Sequence, residues 1–290
     1  MMPMRPIARV FDRCRKERRA ALIAYIAAGD PAAWATEALA KGALRGGADI
    51  LEIGVPFSDP LADGPIIQAA YTRSLQAGTT VHSVLDSVER IRQTRDVPIV
   101  LMTSWNPVRA YGPERFCRRA ESAGAAGVLV PDLLPEDSAL FRKHARASGL
   151  DTIHLAAPGM SQERLETAAT LTAGFLYLVS RRGVTGPGGG IGDTLEAEVR
   201  RAREACSQPI AVGFGVAAQQ DAARVARCAD GVIVGSALVK EGFLAFQQAV
   251  AENASEQEAV GDAAKAVERQ TAKLAAGVMS ARKMKGRGPE

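Results

Sequence analysis

Two carboxylates stand close together in a part of the chain that otherwise holds apolar residues and rigid turns. Glu52 lies within the apolar run LEIGV (51–55), and Asp63 ends the loop SDPLAD (58–63). An unpaired carboxylate among apolar side chains is costly, so Glu52 either pairs with an arginine or takes part in chemistry. Asp63 and Asp59 have another structural interpretation, as caps of a following helix. The pattern favours a general acid and base pair.

Three glycine-rich segments form a second group of candidate functional residues. They read GVTGPGGGIGD at 183–193, GFG at 213–215 and GSAL at 235–238. Backbone N–H groups of such loops, and of the helix that GSAL would begin, form a favourable site for an anion. Each segment alone is compatible with an ordinary turn. Their consecutive order predicts a phosphate site.

Eight short apolar runs alternate with helix-period segments along the chain and would position these residues. The runs are residues 21–27, 49–54, 98–103, 127–131, 151–156, 174–180, 209–215 and 231–236. Continuous apolar strands separated by helices indicate a parallel sheet that is buried on both faces. Eight such units predict an α/β fold, a single (β/α)8 TIM barrel, with its active site at the C-terminal ends of the strands.

The barrel is predicted to span residues 1–279 as one catalytic domain. It includes an extra N-terminal helix around residues 10–19 and a final amphipathic helix over residues 240–278. The basic segment 280–290 is predicted to be a disordered tail.

Composition and charge exclude several classes of function. Of the 290 residues 47% are hydrophobic and 5% aromatic, and the net charge of +4 comes from basic ends around an acidic body. That arrangement lacks the aromatic and basic interleaving of nucleic-acid binders. Without an apolar run of 18 residues or a signal peptide, and with four scattered cysteines, a cytoplasmic protein with no membrane contact is expected. No lysine lies in a predicted strand, so a Schiff-base mechanism is not indicated. The spacing of the histidines does not indicate a metal site.

Several motifs together resemble the alpha chain of tryptophan synthase. They are LEIGVPFSDPLADGPIIQ (51–68), YLVSRRGVTG (177–186), PIAVGFGV (209–216) and DGVIVGSALV (230–239). The resemblance extends in order from about residue 18 to residue 250. It differs from the commoner family pattern at Ser104, at Ile66 and in the segment PGGGIGD.

The resemblance implies a (β/α) barrel that cleaves indole-3-glycerol phosphate to indole and glyceraldehyde 3-phosphate for L-tryptophan biosynthesis. It implies no cofactor in this chain, since pyridoxal phosphate is expected only in the beta chain that receives the indole. The expected assembly with that partner is an alpha2beta2 heterotetramer.

The resemblance also assigns roles to individual residues. It makes Glu52 the principal acid and base, Asp63 the acid that faces the indole nitrogen, and Tyr177 a neighbouring phenol. The remaining assignments are Gly186, Gly215, Gly235 and Ser236 for the phosphate; Tyr25, Met102 and Phe214 for the indole pocket; Arg181 and Thr185 for a mobile loop; and Pro56, Asp59, Asn106 and Pro135 for the partner interface.

Three other functions stay open at the level of the sequence. A stand-alone lyase that releases free indole would have the same fold and acids. A non-catalytic regulator of a beta chain would not need Glu52, Asp63 and the phosphate glycines. Another phosphosugar barrel, such as an isomerase or epimerase, would leave the SDPLADG loop (58–64) unexplained.

Overall fold

The structure is a computed structural model that describes residues 4–180, 191–213 and 215–281. Eight parallel strands form a closed barrel in which each strand pairs with the next and β8 pairs with β1. The strands are β1 (Ala21–Ala27), β2 (Ile50–Gly54), β3 (Ile99–Met102), β4 (Gly127–Leu129), β5 (Asp151–Ala156), β6 (Leu176–Val179), β7 (Ile210–Gly213) and β8 (Gly231–Val234). The predicted barrel fold is therefore confirmed.

Twelve α-helices surround or cap the barrel within the described residues. They are α1 (Pro6–Lys16), α2 (Thr36–Arg45), α3 (Pro65–Gln76), α4 (Val81–Thr94), α5 (Trp105–Tyr111), α6 (Pro113–Ser122), α7 (Ala139–Ala147), α8 (Gln162–Leu171), α9 (Ile191–Ala205), α10 (Gln219–Cys228), α11 (Ser236–Ala251) and α12 (Glu256–Ser280). A short 3-10 helix (Pro135–Asp137) precedes α7. No helix in the described ranges is long and apolar enough to cross a membrane.

Successive side chains along each strand point alternately into the barrel interior and into the layer between strands and helices. Ile50 packs with the interior residues Ile23 and Val100, whereas Leu51 belongs to the cluster between strands and helices. Because successive side chains of a strand point to opposite faces, Glu52 points the same way as Ile50, into the barrel. The register places Tyr25 beside Glu52 on the neighbouring strand.

Helix α1 covers the N-terminal end of the barrel. Its buried face includes Ile7, Val10 and Phe11, and the ring centroid of Phe11 lies 5.8 Å from that of Phe175 inside the barrel. Ion pairs at this end join Arg19 to the carboxylate of Asp49 at 2.6 Å. With this end covered, ligands have access to the interior from the C-terminal ends of the strands.

The helix boundaries differ from the sequence prediction in several places. Helix α1 covers residues 6–16 rather than 10–19, and the segment 240–278 forms parts of two helices rather than one. The break falls where Ser255 caps α12 by accepting a hydrogen bond from the Glu258 N–H. Helix α12 also runs one residue into the segment assigned to the tail, whose residues 282–290 lie outside the described ranges.

Candidate active site

Glu52 is a buried acid with an unpaired carboxyl oxygen among the described residues. Its exposed fraction is 1%, and its Oε2 atom has no hydrogen-bond partner among the described residues. Burial raises the pKa of Glu52 to about 8, and the nearby charge of Asp63 adds to the shift. The described residues therefore do not support the alternative interpretation, in which Glu52 is a structural carboxylate paired with an arginine. This environment favours a carboxyl group that carries a proton at neutral pH.

Asp63 lies in the loop between β2 and α3, close to the first turn of the helix. Its backbone N–H donates to the Pro60 carbonyl at 3.0 Å, and the Gln68 side chain donates to its carbonyl oxygen at 2.8 Å. The N-cap position is Gly64, and no side chain caps α3. Burial raises the pKa of Asp63 to about 6, with a further contribution from Asp132. The Asp63 side chain therefore does not cap α3, and Asp63 lines a cavity.

One cavity of about 470 Å³ brings the predicted catalytic residues together. Glu52, Asp63 and Tyr177 all line it, and Tyr25 and Met102 contribute to the same wall. A volume of this size is typical of sites for small organic molecules. Of the residues predicted to form an indole pocket, Phe214 lies outside the described ranges.

Tyr177 projects into the barrel from β6, and its hydroxyl lies against the backbone of the neighbouring strand. A Cβ atom on Gly213 would be 2.3 Å from the Tyr177 hydroxyl oxygen, which leaves no room for any other residue there. Burial raises the pKa of Tyr177 well above its ordinary value, and the charges of Glu52 and Asp63 raise it further. The phenol therefore stays protonated as a hydrogen-bond donor.

The described residues that were predicted to bind phosphate follow β7 and β8 in the chain. Gly215 has φ of +80°, which favours glycine, and Gly235 is the N-cap of α11, so that Ser236 is its first residue. All three line the cavity. The first N–H groups of a helix lack partners within the helix and attract anions. Gly186, Arg181 and Thr185 lie outside the described residues.

Lys240 is a cavity residue that the sequence analysis missed. It lies on α11 four residues after Ser236, and it is the only cationic side chain among the described residues that line the cavity. Residues four apart on a helix share one face, so the position of Ser236 contained a signal for Lys240. Its ammonium group supplies positive charge to a cavity that otherwise holds two acids.

A second cavity of about 250 Å³ adjoins the first and shares Asp63 and Met102 with it. Two residues that were predicted to face a partner, Asp59 and Asn106, line this second cavity. Pro56 is buried, and Pro135 is half-exposed and does not line this cavity. The structure therefore brings together only part of the predicted interface.

The described residues contain no cluster of three or more His, Cys, Asp or Glu side chains that could hold a metal ion. The four cysteines are free thiols, three of them buried.

The comparisons with known proteins agree with the geometry. The family model for the tryptophan synthase alpha chain matches residues 11–272. A tryptophan synthase alpha chain from Geobacter sulfurreducens is 47% identical over 237 residues, which cover 82% of this chain and 90% of the relative. Another from Halorhodospira halophila is 46% identical over 238 residues, covering 82% and 87% respectively.

Solved structures show the same relationship. Tryptophan synthase from M. tuberculosis matches with a TM-score of 0.82 and 34% identity, covering 96% of this chain and 100% of that chain. The tryptophan synthase alpha subunit from Legionella pneumophila matches with a TM-score of 0.79 and 32% identity, covering 93% and 99%. The chain therefore belongs to the tryptophan synthase alpha chain family, the family of lyases that its sequence predicted.

Proposed function

We propose that this chain cleaves indole-3-glycerol phosphate to indole and glyceraldehyde 3-phosphate by a retro-aldol reaction. The observation that carries the proposal is the pair Glu52 and Asp63 in one cavity, with pKa values of about 8 and about 6. At neutral pH the first carboxyl group holds a proton and the second is ionised. Two acids with separated pKa values are suited to opposite roles in one reaction.

The first step is protonation of the indole ring. Glu52 donates its proton to ring carbon C3, and the positive charge that develops in the ring is shared by the ring nitrogen. Asp63 accepts a hydrogen bond from the ring N–H and stabilises that charge. A carboxylate in a site that excludes water is more effective for this purpose than one in bulk solvent.

The second step breaks the carbon–carbon bond. Glu52, now ionised, removes the proton of the hydroxyl group on the carbon attached to C3. The O–H electron pair forms the aldehyde carbonyl, the bond to C3 breaks, and its electron pair returns to the ring as neutral indole. Glu52 is thereby protonated again, so that one side chain serves as acid and then as base.

Binding of the phosphate group fixes the glycerol chain for both steps. We assign this role to Gly215, Gly235 and Ser236, together with the ammonium group of Lys240. A positioned acid or base contributes about 10² to 10⁴ in rate, so the remaining acceleration depends on fixed orientation of the reacting carbon. Tyr25 and Met102 would contact the indole ring.

We further propose that a beta chain receives the indole in an alpha2beta2 heterotetramer in the cytoplasm. The second cavity supports a docking face, because Asp59 and Asn106 line it beside Asp63. Pyridoxal phosphate would belong to the beta chain. The catalytic domain would comprise residues 1–279 of this chain.

Single-turnover cleavage of indole-3-glycerol phosphate, with and without a cognate beta chain, tests the proposal. We expect cleavage by the chain alone and a faster rate in the complex. An equal rate in both conditions would favour a stand-alone lyase that releases indole. No cleavage in either condition, with normal activation of the beta chain, would favour a non-catalytic regulator.

A further inference from the structure

Two buried tyrosines form a hydrogen bond at the wall between the two cavities. The hydroxyl groups of Tyr25 on β1 and Tyr71 on α3 are 2.8 Å apart, and each residue is only 3% exposed. Tyr25 lines the cavity that holds Glu52, whereas Tyr71 lines the adjoining cavity. The mechanism above gives Tyr71 no role.

The two hydroxyl groups lie directly against the end of the strand that carries Glu52. A Cβ atom on Gly54 would lie 2.1 Å from the Tyr25 hydroxyl oxygen and 2.6 Å from that of Tyr71. Gly54 is two residues after Glu52 on β2. The hydrogen bond therefore joins β1 to α3 at the point where β2 ends, with no space for another side chain.

Asp63 depends on α3 for its position. The Asp63 carboxylate accepts no hydrogen bond from any side chain or backbone group within the described residues, and its backbone is held by Pro60 and by Gln68 of α3. Loss of register in the first turns of α3 would therefore move this carboxylate. A displacement of about 1 Å in a catalytic group can cost about 10² in rate.

Three side chains of α3 attach the helix to residues in or just after β1. Tyr71 bonds to Tyr25, Arg73 donates to the Asp30 carboxylate at 2.6 Å, and Ser74 donates to the Ala28 carbonyl at 2.5 Å. Of these three attachments, only that of Tyr71 lies at a cavity lined by Asp63. It is also the attachment nearest in sequence to Asp63.

We propose that Tyr71 is a positioning residue, which through its hydroxyl bond to Tyr25 holds the first two turns of α3 and thereby sets the Asp63 carboxylate beside Glu52 in the cavity. The proposal rests on the function assigned to the two acids. It differs from a purely structural role, in which the bond would contribute only to the stability of the folded chain.

A double-mutant cycle on the 290-residue chain separates these two roles. Tyr71→Phe and Tyr25→Phe each leave one buried hydroxyl without its partner, while the double variant leaves none. Ser74→Ala serves as a matched control, because it removes another attachment of the same helix away from both cavities. The measurements are kcat and KM for indole-3-glycerol phosphate, the midpoint of urea unfolding, and the pKa of Asp63 by carbon NMR.

For Tyr71→Phe we expect kcat to fall by about 10 to 100-fold with KM within about twofold. The pKa of Asp63 should fall from about 6 toward its ordinary value, because a displaced carboxylate gains contact with water. The double variant should recover stability but neither kcat nor the raised pKa. Ser74→Ala should keep the kcat and the raised Asp63 pKa of the unmodified chain.

Recovery of kcat and of the raised pKa in the double variant would overturn the positioning role, as would an equal loss of both in Ser74→Ala. The titration does not depend on turnover. If the unmodified chain failed to cleave the substrate, the proposed function would be wrong, while the pKa of Asp63 in the Phe variants would still decide whether the bond positions the carboxylate.

Discussion

Asp63 lies in the same cavity as Glu52, and its negative charge adds to burial in raising the pKa of Glu52 to about 8. The coupling is reciprocal in principle, since two nearby carboxyl groups each disfavour ionisation of the other. The arrangement keeps one proton on the pair across neutral pH. That proton is the one that the proposed reaction requires.

The rate should therefore follow a bell-shaped pH profile. Activity requires ionised Asp63 and protonated Glu52, so kcat/KM should rise through about pH 6 and fall through about pH 8. In Asp63→Asn the acidic side of the profile of residual activity should flatten, and the alkaline side should move to lower pH because the like charge is gone. A profile with an unshifted alkaline side would contradict the coupling.

Stability should depend on the same carboxyl group. The pKa of Glu52 is raised from 4.5 to about 8 on folding, so the folded chain binds more protons than the unfolded chain between these values. The stabilisation is fully present below pH 4.5 and is lost as the pH rises through about 8. We expect Glu52→Gln to match the unmodified chain in urea unfolding at low pH and to exceed it by about 1 kcal/mol or more at about pH 9. An equal difference at both pH values would contradict this account.

Lys240 should affect substrate binding more than the chemical step. Lys240→Met should raise KM about 10-fold with kcat nearly unchanged, because a hydrogen bond to a charged group contributes about 1.5–3 kcal/mol. Lys240→Arg should retain most of the affinity. Lys143→Met, which removes an exposed lysine on α7 away from the cavity, is the control. Binding of inorganic phosphate should weaken in parallel, and unchanged phosphate binding in Lys240→Met would exclude the role.

A substitution at the N-terminal end of the barrel, away from the cavity, should lower stability without affecting catalysis. The buried carboxylate of Asp49 accepts hydrogen bonds from the Arg13 and Arg19 side chains and from the Leu22 N–H. Burial alone would raise the pKa of Asp49, but the hydrogen bonds from Arg19 and Leu22 outweigh this effect, so the pKa of Asp49 is lowered. Asp49→Asn should cost about 1–3 kcal/mol of unfolding free energy, since the largely buried Arg19 guanidinium loses this charged partner and keeps only Glu17. Its kcat/KM should stay within about twofold under conditions where the chain is folded.

Strand order and the two acids could be predicted because local sequence determines them. Apolar runs such as that of β1 are bounded by turn residues, and Glu52 is conspicuous in a strand without other charges. Side chains two residues apart on a strand point to the same face, so Glu52 points into the barrel interior as Ile50 does. Glycines at the ends of β7 and β8 likewise predicted residues that line the cavity, while their phosphate role stays a prediction.

Tyr71 could not be identified as a site residue in the same way, and for Lys240 the one signal was its spacing of four residues from Ser236. Both lie on helices, and which residues of a helix face a cavity depends on how the helix packs against the strands. The bond between Tyr71 and Tyr25 joins residues 46 positions apart, so no local pattern contains it. Helix α5 was also missed, because its seven residues are too few to show a helical period.

The most direct test of the central claim is single-turnover cleavage of indole-3-glycerol phosphate by the unmodified chain and by Glu52→Gln at neutral pH, with substrate binding measured separately. Glutamine keeps the size of the side chain but can neither donate the proton to C3 nor remove the hydroxyl proton. We expect the cleavage rate to fall by about 10⁴ or more while the substrate still binds, since both proton transfers are lost. Cleavage at a near-normal rate in Glu52→Gln would contradict the assignment of Glu52 as acid and base.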